Sequence, residues 1–234
     1  MKTRHLARWA GACTRVAMLS ALAGFAAANA TPYERMAPLK QYLMSSGSEI
    51  ALARSAAPAS ISDKATVLTL DPQGYQTAVH GTNGFTCLVE RSWMSPFASP
   101  DFWNPKIRGP VCYNPAASGS ILAYTLRRTK LALAGDSKGR MLGEVRAALA
   151  RNEIRSPKSG AMSFMMSRDG YLSDADNHWH PHLMFYVPKV VGASWGANLP
   201  GSPVVVDARE VPEPQTIFMV PLSRWSDGTT AAAH

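Results

Sequence analysis

Alternation of hydrophobic and polar residues is clearest in the first half of the chain, where it predicts three short strands. The segments concerned are 66–70, 75–79 and 85–91. Phe85, Cys87 and Val89 share one face of the third segment, because successive side chains of a strand point to opposite faces. Turn-forming residues at 71–74 and 83–84 separate the segments. This pattern predicts a β-meander.

Helical spacing of hydrophobic residues appears in two later segments. It predicts one helix over 119–134 and a second over 138–151, with Asp136 and Ser137 supplying the cap of the second. Two shorter helices are expected in an N-terminal arm at 31–63. The first of these begins at Thr31, and the second is capped by Ser48 and Glu49. Residues 55–63, at the end of the arm, are interpreted as a linker.

The last third of the chain again has short β-prone segments separated by Gly, Pro and Asp. We expect strands at 161–166, 182–187, 204–207 and 216–220. Helices and strands therefore occur in separate blocks rather than in βαβ alternation. This order predicts an α+β fold with a mainly antiparallel sheet and segregated helices, in a single globular domain at 31–234.

The segment 92–115 has a different composition, with five prolines among several aromatic residues. Its prolines argue against a helix and against a central strand, so we expect a long irregular loop. Trp93, Trp103 and Trp179 all fall in expected loops, where aromatic rings often bind ligands. The alternative interpretation is that these rings pack at the ends of the core.

The N-terminus has the pattern of a secretory signal peptide. Four basic residues and no acidic residue occur in 1–30, together with a short apolar run that ends in the A-x-A pattern at 28–30. We therefore expect cleavage after Ala30 and export to the periplasm or the medium. No uncharged apolar run is long enough to span a bilayer.

Cleavage after Ala30 would leave two cysteines, Cys87 and Cys112, and an even pair in an oxidising compartment predicts a disulfide. The remaining chain would have 20 basic and 16 acidic side chains. Because this small positive excess is spread along the chain, a nucleic-acid partner is not expected. A small molecule or a surface partner stays open.

Two segments resemble a family of uncharacterised secreted bacterial proteins. They are EIALARSAAP at 49–58 and NGFTCLV at 83–89. The resemblance implies export and a shared fold. It implies no particular activity.

The histidines at 178–182 form the strongest candidate for chemistry. In an extended backbone His178, His180 and His182 point to the same side, and Asp176 shares their parity. Imidazoles with a nearby carboxylate suit zinc or another divalent transition metal. The alternative is that the histidines only begin the strand at 182–187.

The sequence thus leaves two classes of function open. One is a metal-binding protein or metal-dependent enzyme built on the histidines. The other is a non-catalytic module that binds a ligand or a protein through aromatic-rich loops. The motif G-x-S-x-G at 192–196 matches the nucleophile elbow of hydrolases by letter only, because the prolines that follow prevent the required helix.

Overall fold

The computed structural model describes residues 33–174, 180–206 and 215–231. The signal peptide predicted at 1–30 lies outside these residues and stays a prediction. The strands are β1 Thr66–Asp71, β2 Gly74–Val79, β3 Thr86–Glu90, β4 Gly109–Tyr113, β5 Met162–Met165, β6 His182–Pro188, β7 Val205–Val206 and β8 Gln215–Pro221. The helices are α1 Ser46–Arg54, α2 Ala59–Ser62, α3 Pro115–Ser118, α4 Ile121–Leu133 and α5 Lys138–Ala150.

The eight strands of the described residues form one sheet in the order β2-β1-β3-β4-β5-β6-β8-β7. Every pairing is antiparallel except that between β1 and β3. The α+β fold with a mainly antiparallel sheet is therefore confirmed. No helix in the described ranges is long and apolar enough to cross a bilayer.

Helices cover both faces of the first half of the sheet. On one face, α1 lies against β1, β3 and β4, and its Ala53 packs with Cys87 and Val89. On the other face, α3 and the start of α4 pack against Leu88 and Tyr113. Strand parity therefore directs Glu90, two residues after Leu88, to the face that α4 covers.

The N-terminal arm differs from its prediction. Where a helix from Thr31 is predicted, the described residues 33–45 contain only a short 3₁₀ turn at Leu39–Gln41, directly after Pro38. A proline inside a helix removes a backbone donor and clashes with the preceding turn, which explains the difference. The interpretation of residues 55–63 as a linker is also wrong, because this segment contains α2 and its Ala56 is completely buried.

The expectation that prolines exclude a central strand from 92–115 is wrong, because β4 contains Pro110 and lies near the middle of the sheet. Pro110 lies opposite Val89 of β3, two residues from Cys112, whose Cα atom is 4.0 Å from that of Cys87. This short distance marks a pair without mutual backbone hydrogen bonds, and alternation along the ladder makes Val89 and Pro110 another such pair, so the nitrogen of Pro110 points towards β5. β5 pairs only with the other end of β4, at Cys112 and Tyr113. Pro110 therefore has no β5 residue opposite it, and the sheet loses no hydrogen bond there.

The predicted disulfide between Cys87 and Cys112 is confirmed. The two residues lie directly opposite each other on β3 and β4, with Cα atoms 4.0 Å apart, and both are fully buried. The bond closes the segment between them onto the centre of the sheet. That segment ends in β4 and carries many of the aromatic residues of the core.

Candidate ligand cavity

A cavity of about 700 Å³ lies on the face of the sheet that carries α4. Its inner wall comes from alternate positions of β4, β5, β6 and β8, and its second wall comes from the first half of α4. The cavity exists because α3 and α4 cover the first strands of the sheet and leave the same face of β6 and β8 uncovered. The volume falls within the range of about 300–1,000 Å³ that is typical of small-molecule sites.

Flexible apolar side chains form most of the inner wall. They are Met165, Met184, Ile217 and Met219, and Met94 and Leu172 from the adjoining loops extend the apolar lining. Met184 lies next to His182 and Tyr186 on the same face of β6, as the period-two pattern of a strand requires. Thioether side chains adapt to irregular shapes, so this wall can accommodate an apolar molecule without a rigid fit.

The outer wall of the cavity is the segment 192–198 together with Val206 of β7. A Cβ atom at Gly192 would lie 2.7 Å from Cγ1 of Val206, so glycine permits this close approach. Trp195 in this segment is exposed, and the segment is flanked by the exposed apolar side chains of Val191 and Leu199. It also contains the G-x-S-x-G letters, where a 3₁₀ turn ends at Gly196 and no helix follows in the described residues.

Glu90 is the acidic group at one end of the cavity. Its Oε1 atom accepts a hydrogen bond of 2.6 Å from the Tyr113 hydroxyl, which lies 3.0 Å from Oγ1 of Thr125. Burial raises the pKa of Glu90, and this rise is partly offset by the hydrogen bond from Tyr113 and the positive charge of Arg128. Burial also raises the pKa of Tyr113 and of Tyr186. This end of the cavity therefore favours neutral, protonated groups.

Arg128 of α4 connects this end of the cavity to the aromatic core. Its guanidinium lies 4.2 Å from the ring centroid of Phe97 and donates a 2.7 Å hydrogen bond to the carbonyl of Ser95. It is 1% exposed although it lines the cavity. The loop before β4 is thereby held against α4.

Hydrogen bonds to two aspartates fix the same loop to the segment before β6. Asn104 donates to both Asp101 and Asp174, at 2.9 and 3.0 Å. Asp174 also accepts hydrogen bonds from Lys106 and from the hydroxyl of Tyr171, and these donors lower its pKa. The loop that was expected to be irregular is therefore anchored on several sides.

Gln215 marks the other end of the cavity, at the start of β8. It is 2% exposed and lines the cavity on the same strand face as Ile217 and Met219. Its Oε1 atom is buried and has no hydrogen-bond partner among the described residues. Gln215 thus brings an unpaired, buried acceptor into the wall of the cavity.

Of the predicted metal ligands, the structure describes His180 and His182, whereas Asp176 and His178 lie outside the described residues. His182 lines the cavity, and its Nδ1 atom lies 2.9 Å from the carbonyl oxygen of His180. Burial lowers the pKa of His182, which favours the neutral ring that a metal ion requires. No group of three or more potential ligands occurs within the described part of the chain.

The predicted ligand-binding tryptophans are placed differently from one another. Trp93 is fully buried and donates a 3.0 Å hydrogen bond to Thr129, and Trp103 is 3% exposed in the same core cluster. Neither has a ring face open to a ligand, in agreement with the alternative interpretation of core packing. Trp179 lies outside the described residues, so its role stays a prediction.

Sequence reasoning missed Glu90 and Gln215, which are the polar groups at the two ends of the cavity. A signal for Glu90 does exist in the sequence. It follows the hydrophobic run 87–89, which indicates a strand covered on both faces, so a charged residue directly after it is unusual. Gln215 has no such signal, because it follows a polar, proline-containing segment.

Comparison with known proteins gives no match to a family model, and neither the curated proteins nor the solved structures provide one.

Proposed function

We propose that this protein is a non-catalytic binding module that holds a largely apolar small molecule in the cavity between α4 and the β5-β6-β8 part of the sheet. The observation that carries the proposal is the cavity itself, with a volume of about 700 Å³ and a wall of methionine, leucine and isoleucine side chains. Burial of apolar surface in such a site contributes roughly 25 cal/mol per Å². The proposal keeps the binding-module interpretation of the sequence and moves the site from the tryptophans to the cavity.

The surroundings of the cavity support reversible entry of a ligand. The outer wall is a short segment flanked by exposed apolar side chains, of which Val191 is 75% exposed and Leu199 52% exposed. Exposed apolar groups beside a cavity give an apolar molecule a favourable first contact before it enters. Export, which the N-terminal pattern predicts, would place such a protein where apolar nutrients or lipids need a carrier.

Titration with N-phenyl-1-naphthylamine, a neutral apolar probe whose fluorescence rises in apolar surroundings, tests this proposal. We expect saturable binding of one probe per chain. Native mass spectrometry of the exported protein would show in addition whether an apolar molecule co-purifies.

A matched pair of variants locates the site. Met184→Lys places an ammonium group in the cavity wall, so an apolar probe must displace its hydration, and we expect at least tenfold weaker binding. Met162→Lys is the control, because Met162 of the neighbouring strand β5 has the parity of Phe164, which packs on the opposite face of the sheet. Equal probe affinity in both variants and the wild type would refute a site in the cavity.

Metal binding stays a second proposal, supported by one specific contact. The carbonyl oxygen of His180 can only accept, so Nδ1 of His182 must donate, which leaves Nε2 of the neutral ring as the basic nitrogen. A backbone carbonyl that fixes the tautomer in this way is common behind metal-ligating histidines. The remaining predicted ligands, Asp176 and His178, lie outside the described residues.

A further inference from the structure

The buried acceptor at Gln215 restricts the chemistry of the ligand. A buried polar atom usually finds a hydrogen-bond partner in a folded protein, and those that do not often serve a function. The Oε1 atom of Gln215 is such an exception within the described ranges. Because Gln215 is 2% exposed, bulk water does not replace the missing donor.

Two groups close to Gln215 in the sheet do not supply a hydrogen bond to this atom. Opposite Gln215 on β6 lies Pro188, which has no N–H group. The hydroxyl of Thr216 donates to the carbonyl of Val190 and accepts from its N–H, so both of those groups are engaged with each other. Gln215 lines the cavity, so a molecule bound there can offer the missing donor.

We infer that the ligand is an amphiphile whose apolar body lies along Met184 and Met219 and whose O–H or N–H group donates a hydrogen bond to Oε1 of Gln215. This inference rests on the proposed function and names the substrate class of the same site. It distinguishes a long-chain alcohol, acid or primary amide from an ether, an ester or a plain hydrocarbon. The donor is specified because a carboxamide oxygen can only accept.

The other end of the cavity offers a competing acceptor, Glu90, and the two ends can be separated by experiment. Strands β4, β5 and β6 lie between Glu90 on β3 and Gln215 on β8. Neighbouring strands are about 4.8 Å apart, so the two groups are separated by roughly 19 Å measured along the sheet. One small donor group cannot contact both, and a variant at each end identifies which one it uses.

Displacement of N-phenyl-1-naphthylamine by 1-dodecanol and by 1-methoxydodecane gives the test. Both molecules have a dodecyl chain with one oxygen atom at its end. That oxygen is a hydroxyl in the alcohol and an ether oxygen in 1-methoxydodecane, so only the alcohol can donate a hydrogen bond. The measured quantity is the dissociation constant of the ether divided by that of the alcohol. Comparing this ratio between variants cancels the difference in hydration of the free molecules.

We expect the ratio to fall about tenfold from the wild type to Gln215→Met, because methionine has a similar length and offers no strong acceptor. Glu90→Met should leave the ratio unchanged. Gln215→Leu, which also has no acceptor, keeps the test decisive if Gln215→Met fails to fold, because its ratio should fall in the same way and an unchanged ratio would count against the inference.

Two results overturn the inference while leaving the proposed function intact. One is an unchanged ratio in Gln215→Met, and the other is a ratio that falls in Glu90→Met instead. In both cases the apolar probe still binds, and it is still weakened by Met184→Lys. Failure of the probe to bind the wild-type protein at all would instead overturn the proposed function, and the inference with it.

Discussion

Replacing Glu49 by Gln tests how much the buried ion pair between α1 and β3 contributes to stability. Arg91, which directly follows Glu90 at the end of β3, donates a 2.7 Å hydrogen bond from Nη2 to Oε1 of Glu49, and both side chains are 0% exposed. Glu49 also accepts a hydrogen bond from the backbone N–H of Leu70. Glutamine preserves the shape and an acceptor, so the substitution removes mainly the charge.

The expected cost follows from leaving the Arg91 guanidinium buried without a counter-charge. Breaking a buried pair by removing one partner typically costs about 3–5 kcal/mol. We expect the lower end, about 3 kcal/mol, because glutamine can still accept the hydrogen bonds of Arg91 and Leu70. For a chain of this size such a loss corresponds to a fall in melting temperature of roughly 6–12 °C.

Arg91→Met should be more destabilising than Glu49→Gln. Arg91 also donates from Nε to the carbonyl of Tyr42 at 2.7 Å, and from Nη1 to the carbonyl of Val89. The Val89 carbonyl keeps the Tyr75 hydroxyl as a donor, whereas the Tyr42 carbonyl loses the guanidinium. Arg91→Met is therefore expected to lower the free energy of unfolding more, because it leaves the Tyr42 carbonyl without this donor.

Urea denaturation with linear extrapolation measures these differences. The matched control is Glu153→Gln, which breaks the exposed pair with Arg127 and should leave the midpoint unchanged within error. Glu49→Gln protein that is as stable as the control would refute the reasoning that the buried guanidinium depends on this carboxylate.

The disulfide, the cavity carboxyl, the histidine segment and the N-terminus each give a further prediction. Replacing Cys87 and Cys112 together by Ala should lower the free energy of unfolding by about 3–4 kcal/mol, as measured in urea, and an unchanged midpoint would contradict this. Burial raises the pKa of Glu90 above 4.5, so the stability of the wild type relative to Glu90→Gln should be greatest at acid pH and should decline as pH rises through the raised pKa. Parallel curves of stability against pH for the two proteins would contradict this prediction. Protein purified without a chelating column should contain near-stoichiometric Zn, Cu, Ni or Fe that His180→Ala loses, whereas melting that ignores every added ion would argue against the metal site. Intact mass of the exported protein should show cleavage after Ala30, and a mature form that retains residues 1–30 would disprove it.

Elements with a strong local pattern were predictable from the sequence. The helices α4 and α5 begin within two residues of their predicted starts, and the hydroxyl of Ser137 accepts from the N–H of Arg140 as its N-cap role requires. The turn before β3 places Gly84 at φ +77°, which the Asn-Gly pair favours. In these cases spacing and backbone preference are enough, because the signal lies within one element.

The strand β4 could not be predicted in this way, because its stability depends on which neighbours it has. Proline normally excludes a central strand by removing a ladder hydrogen bond. Here the short pairing between β4 and β5 leaves Pro110 without a β5 residue opposite it. How far β5 extends along β4 is a property of the assembled sheet, and the sequence of the segment 92–115 does not indicate it.

The cavity is harder still to predict from the sequence, because it is a space that several helices and strands leave unfilled. Its wall combines single faces of strands that are spread over 110 residues of the chain, from Gly109 on β4 to Met219 on β8. Each methionine in these strands is consistent with an ordinary core position when it is considered alone. Only the placement of α4 over the first strands determines which of them pack and which face the cavity.

The histidine segment connects the two classes of function that the sequence left open. His182, a predicted metal ligand, lies on β6 on the same face as Met184 and Tyr186, so its ring belongs to the cavity wall. A metal ion on this ring would lie beside the apolar wall, and it would add a charged contact near the end of the cavity opposite Gln215. Metal binding and ligand binding are therefore linked hypotheses, because an ion on His182 would change the molecules that the same cavity accepts.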